Sequence, residues 1–253
     1  MNIYIYIYIY IYIYIYFNIG PYGKKVLKVY VFYANWKIKM DATAIIEPSR
    51  EKLLPDPVQY PYYQPPYTVV FEINDVLVHP DWTYGTGWRF KKRPHLEYFL
   101  SSIAAPLYEV VVYTQDSGLN ADPIIHNMDQ KGYINYRLYR DATRYMNGHH
   151  VKDLGCLNRD LSKVIFIDWN EKSYSLNPRN AFKLKRWDGE DDDRTLIDLA
   201  NFLQAVAASK VSDVREVLDY YKQFDDPLEA FKDNQRKLQV KLSEISCVFS
   251  SLI

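Results

Sequence analysis

The sequence predicts an α/β domain with a mostly parallel sheet, and three apolar runs carry that prediction. Thr68–Ile73 (TVVFEI), Tyr108–Tyr113 (YEVVVY) and Lys163–Asp168 (KVIFID) are short and rich in β-branched and aromatic residues. Such runs suit strands buried on both faces. Helical text lies between and after them, at 94–105, 119–130 and 194–208. Strands that alternate with helices argue for parallel pairing through crossovers. At 253 residues the chain fits one large domain, or one domain with tails.

Taken in order, the first segment is the least protein-like. Ile3 to Tyr16 is seven Ile-Tyr pairs, holding seven of the 25 Tyr. Strict alternation reads as a strand, but a typical strand is only ~5–6 residues long. The run is short of the ~20 apolar residues of a membrane helix, and it lacks the basic start and small-residue cleavage site of a signal peptide. Alternating ATA and TAT codons encode Ile-Tyr, so residues 1 to about 19 are expected to be a translated microsatellite joined by a gene-prediction error. Residues 1–44 form the amino-terminal segment, and lysines at 24, 25, 28, 37 and 39 interrupt its apolar stretches, so nothing in it is expected to span a membrane.

Residues 45–67 hold six of the 13 Pro and predict an extended strap. Its Leu53, Leu54, Val58, Tyr62 and Tyr63 are expected to lie against the domain. The core domain is placed at 68–210. Within it, residues 79–92 (HPDWTYGTGWRFKK) set Gly85 and Gly87 between aromatic arms and predict an inserted β-hairpin. The helix at 194–208 has its stripe at Leu196, Leu199, Phe202, Leu203 and Val206. Residues 211–253 predict carboxy-terminal helices, one at about 212–223 and one starting at Asp226-Pro227. In the last, Leu228, Phe231, Leu238, Leu242 and Ile245 approach a heptad with a gap at Gln235. That helix is expected to dock on its own domain.

Composition excludes several classes. The 31 basic and 31 acidic residues give no global pull toward nucleic acid or anionic membranes. Two cysteines, at 156 and 247, support neither a disulfide framework nor a zinc cluster. No metal site and no cofactor are expected.

Chemistry in an open parallel sheet sits at the carboxyl ends of its strands. The three runs end at Glu72-Ile73-Asn74-Asp75, at Thr114 and at Asp168-Trp169, with Lys152 in HHVKDL between the last two. An apolar strand ending in two spaced acids, then Thr or Ser, then Lys, then a late acidic pair is the motif order of the haloacid dehalogenase superfamily. VLVH, KRP, LYEVVVYT, YRLYRD and LNRDLSKVIFID resemble its carboxy-terminal-domain phosphatase branch over about 66–208. A narrower resemblance spans about 45–235. The Pro-rich strap, RLYRDATRYMNGHHVKDLGCLNRD and RWDGEDDDRTLIDLANFL are similar to the presequence-receptor subunits of the mitochondrial inner-membrane translocase.

The first resemblance implies a haloacid-dehalogenase-like fold, a parallel sheet flanked by helices with the hairpin inserted. It also places Glu72 where the enzymes have a nucleophilic Asp and Asn74 where they have an acid/base Asp. One extra methylene moves the carboxylate by ~1.5 Å, and misplacement of ~1 Å can cost about 10²-fold. An amide cannot shuttle a proton. Asp75 points to the other face of an extended chain. Thr114, Lys152 and Asp168 keep the family's residue types, while Trp169 replaces the second late acid. Magnesium binding is expected to be weakened, and no catalysis is expected. The competing reading is a magnesium-dependent protein serine/threonine phosphatase that uses Glu72.

The second resemblance implies a single-pass inner-membrane protein whose domain faces the intermembrane space. It would bind presequences, the channel-forming subunit and other translocase subunits. A presequence is an Arg-rich amphipathic helix, so it needs an apolar floor and an acidic rim. Asp188, Glu190, Asp191, Asp192 and Asp193 are the candidate rim, although Asp191–Asp193 also suit a helix start. Trp82, Trp88, Arg89, Phe90, Lys91 and Lys92 on the hairpin are candidates for partner contact. With Arg93 they form a basic patch, but no stacking platform or motif points to nucleic acid. His149 and His150 are expected to be one exposed and one packed side chain, not metal ligands.

Overall fold

The computed structural model describes residues 51–85 and 87–250. The Ile-Tyr repeat, the rest of 1–44 and the first residues of the strap lie outside the described residues. So does the side chain of Trp88.

The central sheet has five strands in the order β5-β4-β1-β8-β9, every pairing parallel. β1 is Tyr67–Phe71, β4 Tyr108–Tyr113, β5 Tyr136–Leu138, β8 Val164–Asp168 and β9 Ala181–Lys183. β1, β4 and β8 are buried along their whole length, as expected of central parallel strands. Alternate residues serve opposite faces. Val69, Phe71, Val110, Val112, Ile165 and Ile167 belong to one apolar cluster, and Val70, Val111, Tyr113, Val164 and Phe166 to the other.

The expected helical flanking is met differently on the two faces. The first cluster is covered by α1 (Leu96–Ile103), α2 (Gly118–Met128) and α3 (Thr195–Ala208). α3 presents the stripe read from the sequence, Leu196, Leu199, Phe202, Leu203 and Val206. Val214 and Leu218 of α4 (Val214–Tyr221) and Leu228 and Phe231 of α5 (Pro227–Ser250) join the same cluster. The second cluster is roofed by short 3₁₀ turns around Leu154, Leu157 and Tyr174, and by Leu53 and Leu54 of the strap.

Two packing expectations need correction. In the strap, Leu53 and Leu54 are buried, but Val58, Tyr62 and Tyr63 are exposed. The strap is held there by polar contacts instead. The Leu53 N–H donates to the Cys156 carbonyl (2.8 Å), and Arg159 donates to the Pro55 carbonyl (2.7 Å). The Tyr63 hydroxyl donates to the Pro106 carbonyl (2.9 Å) while its ring stays in solvent. In α5, only the first turns dock, and Leu238 and Leu242 are more than half exposed. The helix outruns the domain that covers its start.

The hairpin is as expected. β2 (Val78–Thr83) pairs antiparallel with β3 (Gly87–Lys92), with Trp82 opposite Trp88 and Pro80 opposite Phe90. Gly87 sits at φ 68°, a conformation that costs glycine little. A second small hairpin, β6 (Arg144–Met146) with β7 (His149–Val151), delivers Lys152.

Candidate functional site: a closed polar cluster at the strand ends

β1 lies between β4 and β8, with Phe71 level with Val112 and Ile167. The residues that follow these strands must therefore meet, and Glu72, Thr114 and Asp168 do. Lys152 enters from the end of β7, its backbone N–H donating to the Ser173 carbonyl (2.7 Å).

Glu72 is buried, and both of its oxygens are engaged. Oε1 accepts from the Thr114 hydroxyl (2.6 Å) and from the N–H groups of Ile73 (2.8 Å) and Asn74 (3.4 Å). Oε2 accepts from Lys152 Nζ (2.6 Å) and the Gln115 N–H (3.3 Å). The same ammonium donates to Asp168 Oδ2 (2.8 Å) and lies over the Phe166 ring. Asp168 is completed by the Ser173 hydroxyl and the Asn170 N–H. Lys152 has no solvent exposure. Burial alone would favour the neutral amine, but the Asp168 and Glu72 carboxylates outweigh it and hold the group above the usual lysine range.

Asn74 does not stand in for an acid. Its Nδ2 donates to Asp116 Oδ2 (2.7 Å), and its carbonyl accepts from Trp169 Nε1 (3.1 Å). Its Oδ1 is buried with no hydrogen-bond partner. Asp75 sits in a turn at φ 60° and not on the extended chain expected, and it accepts from Arg186 Nε (2.8 Å) with His79 Nδ1 at 2.8 Å. Arg186 in turn lies over the Trp169 ring, 4.9 Å from its centroid.

The fold family implies Mg²⁺, which takes near-octahedral oxygen ligands at ~2.0–2.1 Å. These residues do not fit it. An ammonium bridges the two carboxylates that would have to serve, and the indole N–H takes the Asn74 carbonyl. Among the described residues no group of three or more His, Cys, Asp or Glu is placed to hold a metal. Chemically the cluster is a hydrogen-bonded network in which one ammonium serves two carboxylates, and the oxygens of Glu72 and Asp168 are filled by the chain's own donors.

The surface candidates fall on both sides of the hairpin base. Trp82, Arg89 and Phe90 are exposed, and Trp88 lies opposite Trp82 in the register. Lys91 and Lys92 are turned to the domain instead. Lys91 donates to the Gly189 carbonyl and pairs with Asp191 (2.8 Å), and Lys92 donates to the Asn127 carbonyl (2.7 Å). Asp193 is taken up by a two-pronged pair with Arg93 (2.9 Å each) and by the Thr195 N–H (3.0 Å). Asp188, Glu190, Asp191 and Asp192 remain exposed. The hairpin set and the acidic set, separate in sequence, are thus joined through Lys91 and Asp191. His149 is exposed, while His150 is part-buried with Nδ1 2.9 Å from the Thr143 hydroxyl, and burial lowers its pKa. A separate cleft of about 880 Å³ lies between β9 and the starts of α3 and α5, and none of the Glu72 cluster lines it.

Sequence reasoning missed Gln115, Asp116, Ser173 and Arg186. Gln115 and Asp116 directly follow Thr114, so a scan past each strand end reaches them. Ser173 and Arg186 carry no such signal.

The chain is 56% identical over 194 residues to the mitochondrial import inner membrane translocase subunit TIM50 of Danio rerio, covering 77% of this chain and 50% of that protein. It is 52% identical over 206 residues to the Homo sapiens protein of the same name, covering 80% and 58%. The chain therefore spans about half the length of the curated relatives it matches. Among solved structures, Fcp1, an RNA polymerase II CTD phosphatase, shares the fold with TM-score 0.51 at 15% identity, over 62% of this chain and 70% of that one. The sequence profile of the NLI interacting factor-like phosphatases matches residues 67–215, more than half of the chain, and the chain belongs to that family.

Proposed function

We propose that the chain is a non-catalytic subunit of the mitochondrial inner-membrane import machinery. It binds presequence-bearing preproteins in the intermembrane space and passes them to the channel-forming subunit. The observation that carries this reading is the 52–56% identity to TIM50 proteins over 194 to 206 residues, 77–80% of the chain. The single-pass anchor belongs to the same proposal. Among the described residues no helix is long and apolar enough to cross a membrane.

The hairpin is the proposed channel contact, since exposed aromatics with an adjacent Arg make good binding anchors. The exposed acids at 188–192 give the proposed presequence rim, with Asp193 committed to Arg93. In a pull-down with the channel's soluble segment, the double change Trp82→Ala and Phe90→Ala is expected to weaken binding by at least about tenfold, with an unchanged melting midpoint. Unchanged binding removes the hairpin from the interface.

The family's phosphatase members favour a second reading, Mg²⁺-dependent hydrolysis of a phosphoester. The closed cluster predicts that the purified chain does not turn over an aryl phosphate with or without Mg²⁺.

A further inference from the structure

We infer that the free edge of β9 is a docking site for an acidic peptide in extended form, which joins the five-stranded sheet as one more strand. β9 is an edge strand, paired only with β8. Within a strand, successive residues turn their N–H and carbonyl groups to opposite neighbours. The Leu184 N–H donates to the Asp168 carbonyl of β8 (3.1 Å), so Phe182 and Leu184 turn to β8 and Lys183 turns away. None of the described residues takes the Lys183 N–H or carbonyl. Natural sheets blunt or cover such an edge. This one instead forms the floor of the cleft of about 880 Å³, which residues 181–185 line without a break. Both layers of the domain supply its walls. Leu218, Leu228 and the exposed Phe224 stand on the side of Phe182, and Tyr174 stands on the side of Ala181. An added strand sends alternate side chains to two such sides, while its backbone pairs with the edge.

Charge selects the occupant. Lys183 and Lys232 are already paired, with Glu171 (2.6 Å) and Asp198 (3.1 Å). Among the described residues Lys185 and Arg194 have no acidic partner, and Lys222 donates only to the Pro178 carbonyl (3.3 Å). Of the acids lining the cleft, Asp225 alone has neither an ion pair nor a helix N–H to cap. The uncompensated charge is therefore positive, and an acidic strand neutralises it. A second copy presenting the same edge would set lysine against lysine, which is destabilising. An Arg-rich presequence is repelled likewise, so this site is distinct from the proposed rim at 188–192 and does not depend on it.

The test is fluorescence anisotropy of a short peptide of alternating Val and Glu, titrated onto the full chain, with Lys in place of Glu as the control. Saturable binding of the Glu peptide is expected, with slowed hydrogen exchange at the Lys183 amide. Lys185→Glu combined with Arg194→Glu is expected to weaken binding by at least about tenfold; both side chains are exposed, so the melting midpoint should hold. N-methylation of one alternate set of the peptide's amides is expected to abolish binding and of the other set to spare it, because only alternate N–H groups face the sheet. Absence of saturable binding, equal binding of the Lys peptide, or an equal effect of the two methylation patterns overturns the inference. So does binding that survives the double charge reversal, or sedimentation showing that two copies of the chain pair through this edge.

Discussion

Lys152→Met lowers the stability of the domain by about 3–5 kcal/mol at neutral pH, the range for breaking a buried ion pair by removing one partner. Methionine keeps the length of the side chain and its contact with Phe166, so the loss is electrostatic. It leaves Glu72 and Asp168 buried with no cation between them. The ammonium is held above the usual lysine range, so its stabilising contribution is fully present below the unfolded value of ~10.4 and fades only as pH rises through the higher folded value. Urea unfolding of both proteins at pH 5, 7 and 9 measures this. A deficit below about 1 kcal/mol at every pH would mean that the cluster is open to water, as surface pairs are.

Arg159→Ala is expected to cost a similar amount, about 3–5 kcal/mol, and to free the strap. The guanidinium makes a two-pronged contact with Glu109 (2.7 and 2.8 Å), both side chains being buried. Its third contact is the Pro55 carbonyl, and Gln64 of the strap shares Glu109 at 3.2 Å. One residue therefore ties β4 to the strap. Burial alone would raise the Glu109 pKa, but hydrogen bonds from Arg159 and Gln64 outweigh it and hold it below the ordinary value. Its contribution is thus present above the unfolded value of ~4.3 and is lost as pH falls through the lower folded value. The acid-side loss of stability should be shallower in Glu109→Gln. Limited proteolysis should cut Arg159→Ala first within 53–63, where the native chain is protected at Leu53 and Leu54.

What the sequence made legible divides by length and by partner. The three central strands were readable because both faces are buried, which forces an apolar run of five or six residues. The helix at 195–208 was readable from its stripe, and the hairpin from its glycines between aromatic arms. β5, β6, β7 and β9 were not, since three residues show no period. The 3₁₀ roof over the second face has the same difficulty. Exposure of Val58, Tyr62 and Tyr63 was missed because the strap beyond Leu54 is held by polar contacts of its backbone and side chains, which residue hydrophobicity does not report.

The site shows the same division. Motif order placed Glu72, Thr114, Lys152 and Asp168 at converging strand ends, and hydrogen bonds link them in the series Thr114, Glu72, Lys152, Asp168. That the chain's own donors fill both Glu72 oxygens required distances. So did the fate of the acids before α3, where Asp193 serves Arg93 and Thr195 and Asp191 pairs with Lys91.

The central claim is that a phosphatase fold with a self-filled cleft works by binding. Isothermal titration of the full chain with an Arg-rich amphipathic presequence peptide, against the same peptide with Arg replaced by Gln, tests it most directly. The account predicts saturable binding of the Arg peptide, weakened by salt and by Asp188, Glu190 and Asp192 changed together to Asn, Gln and Asn. Equal heats for both peptides, or none for either, would contradict it.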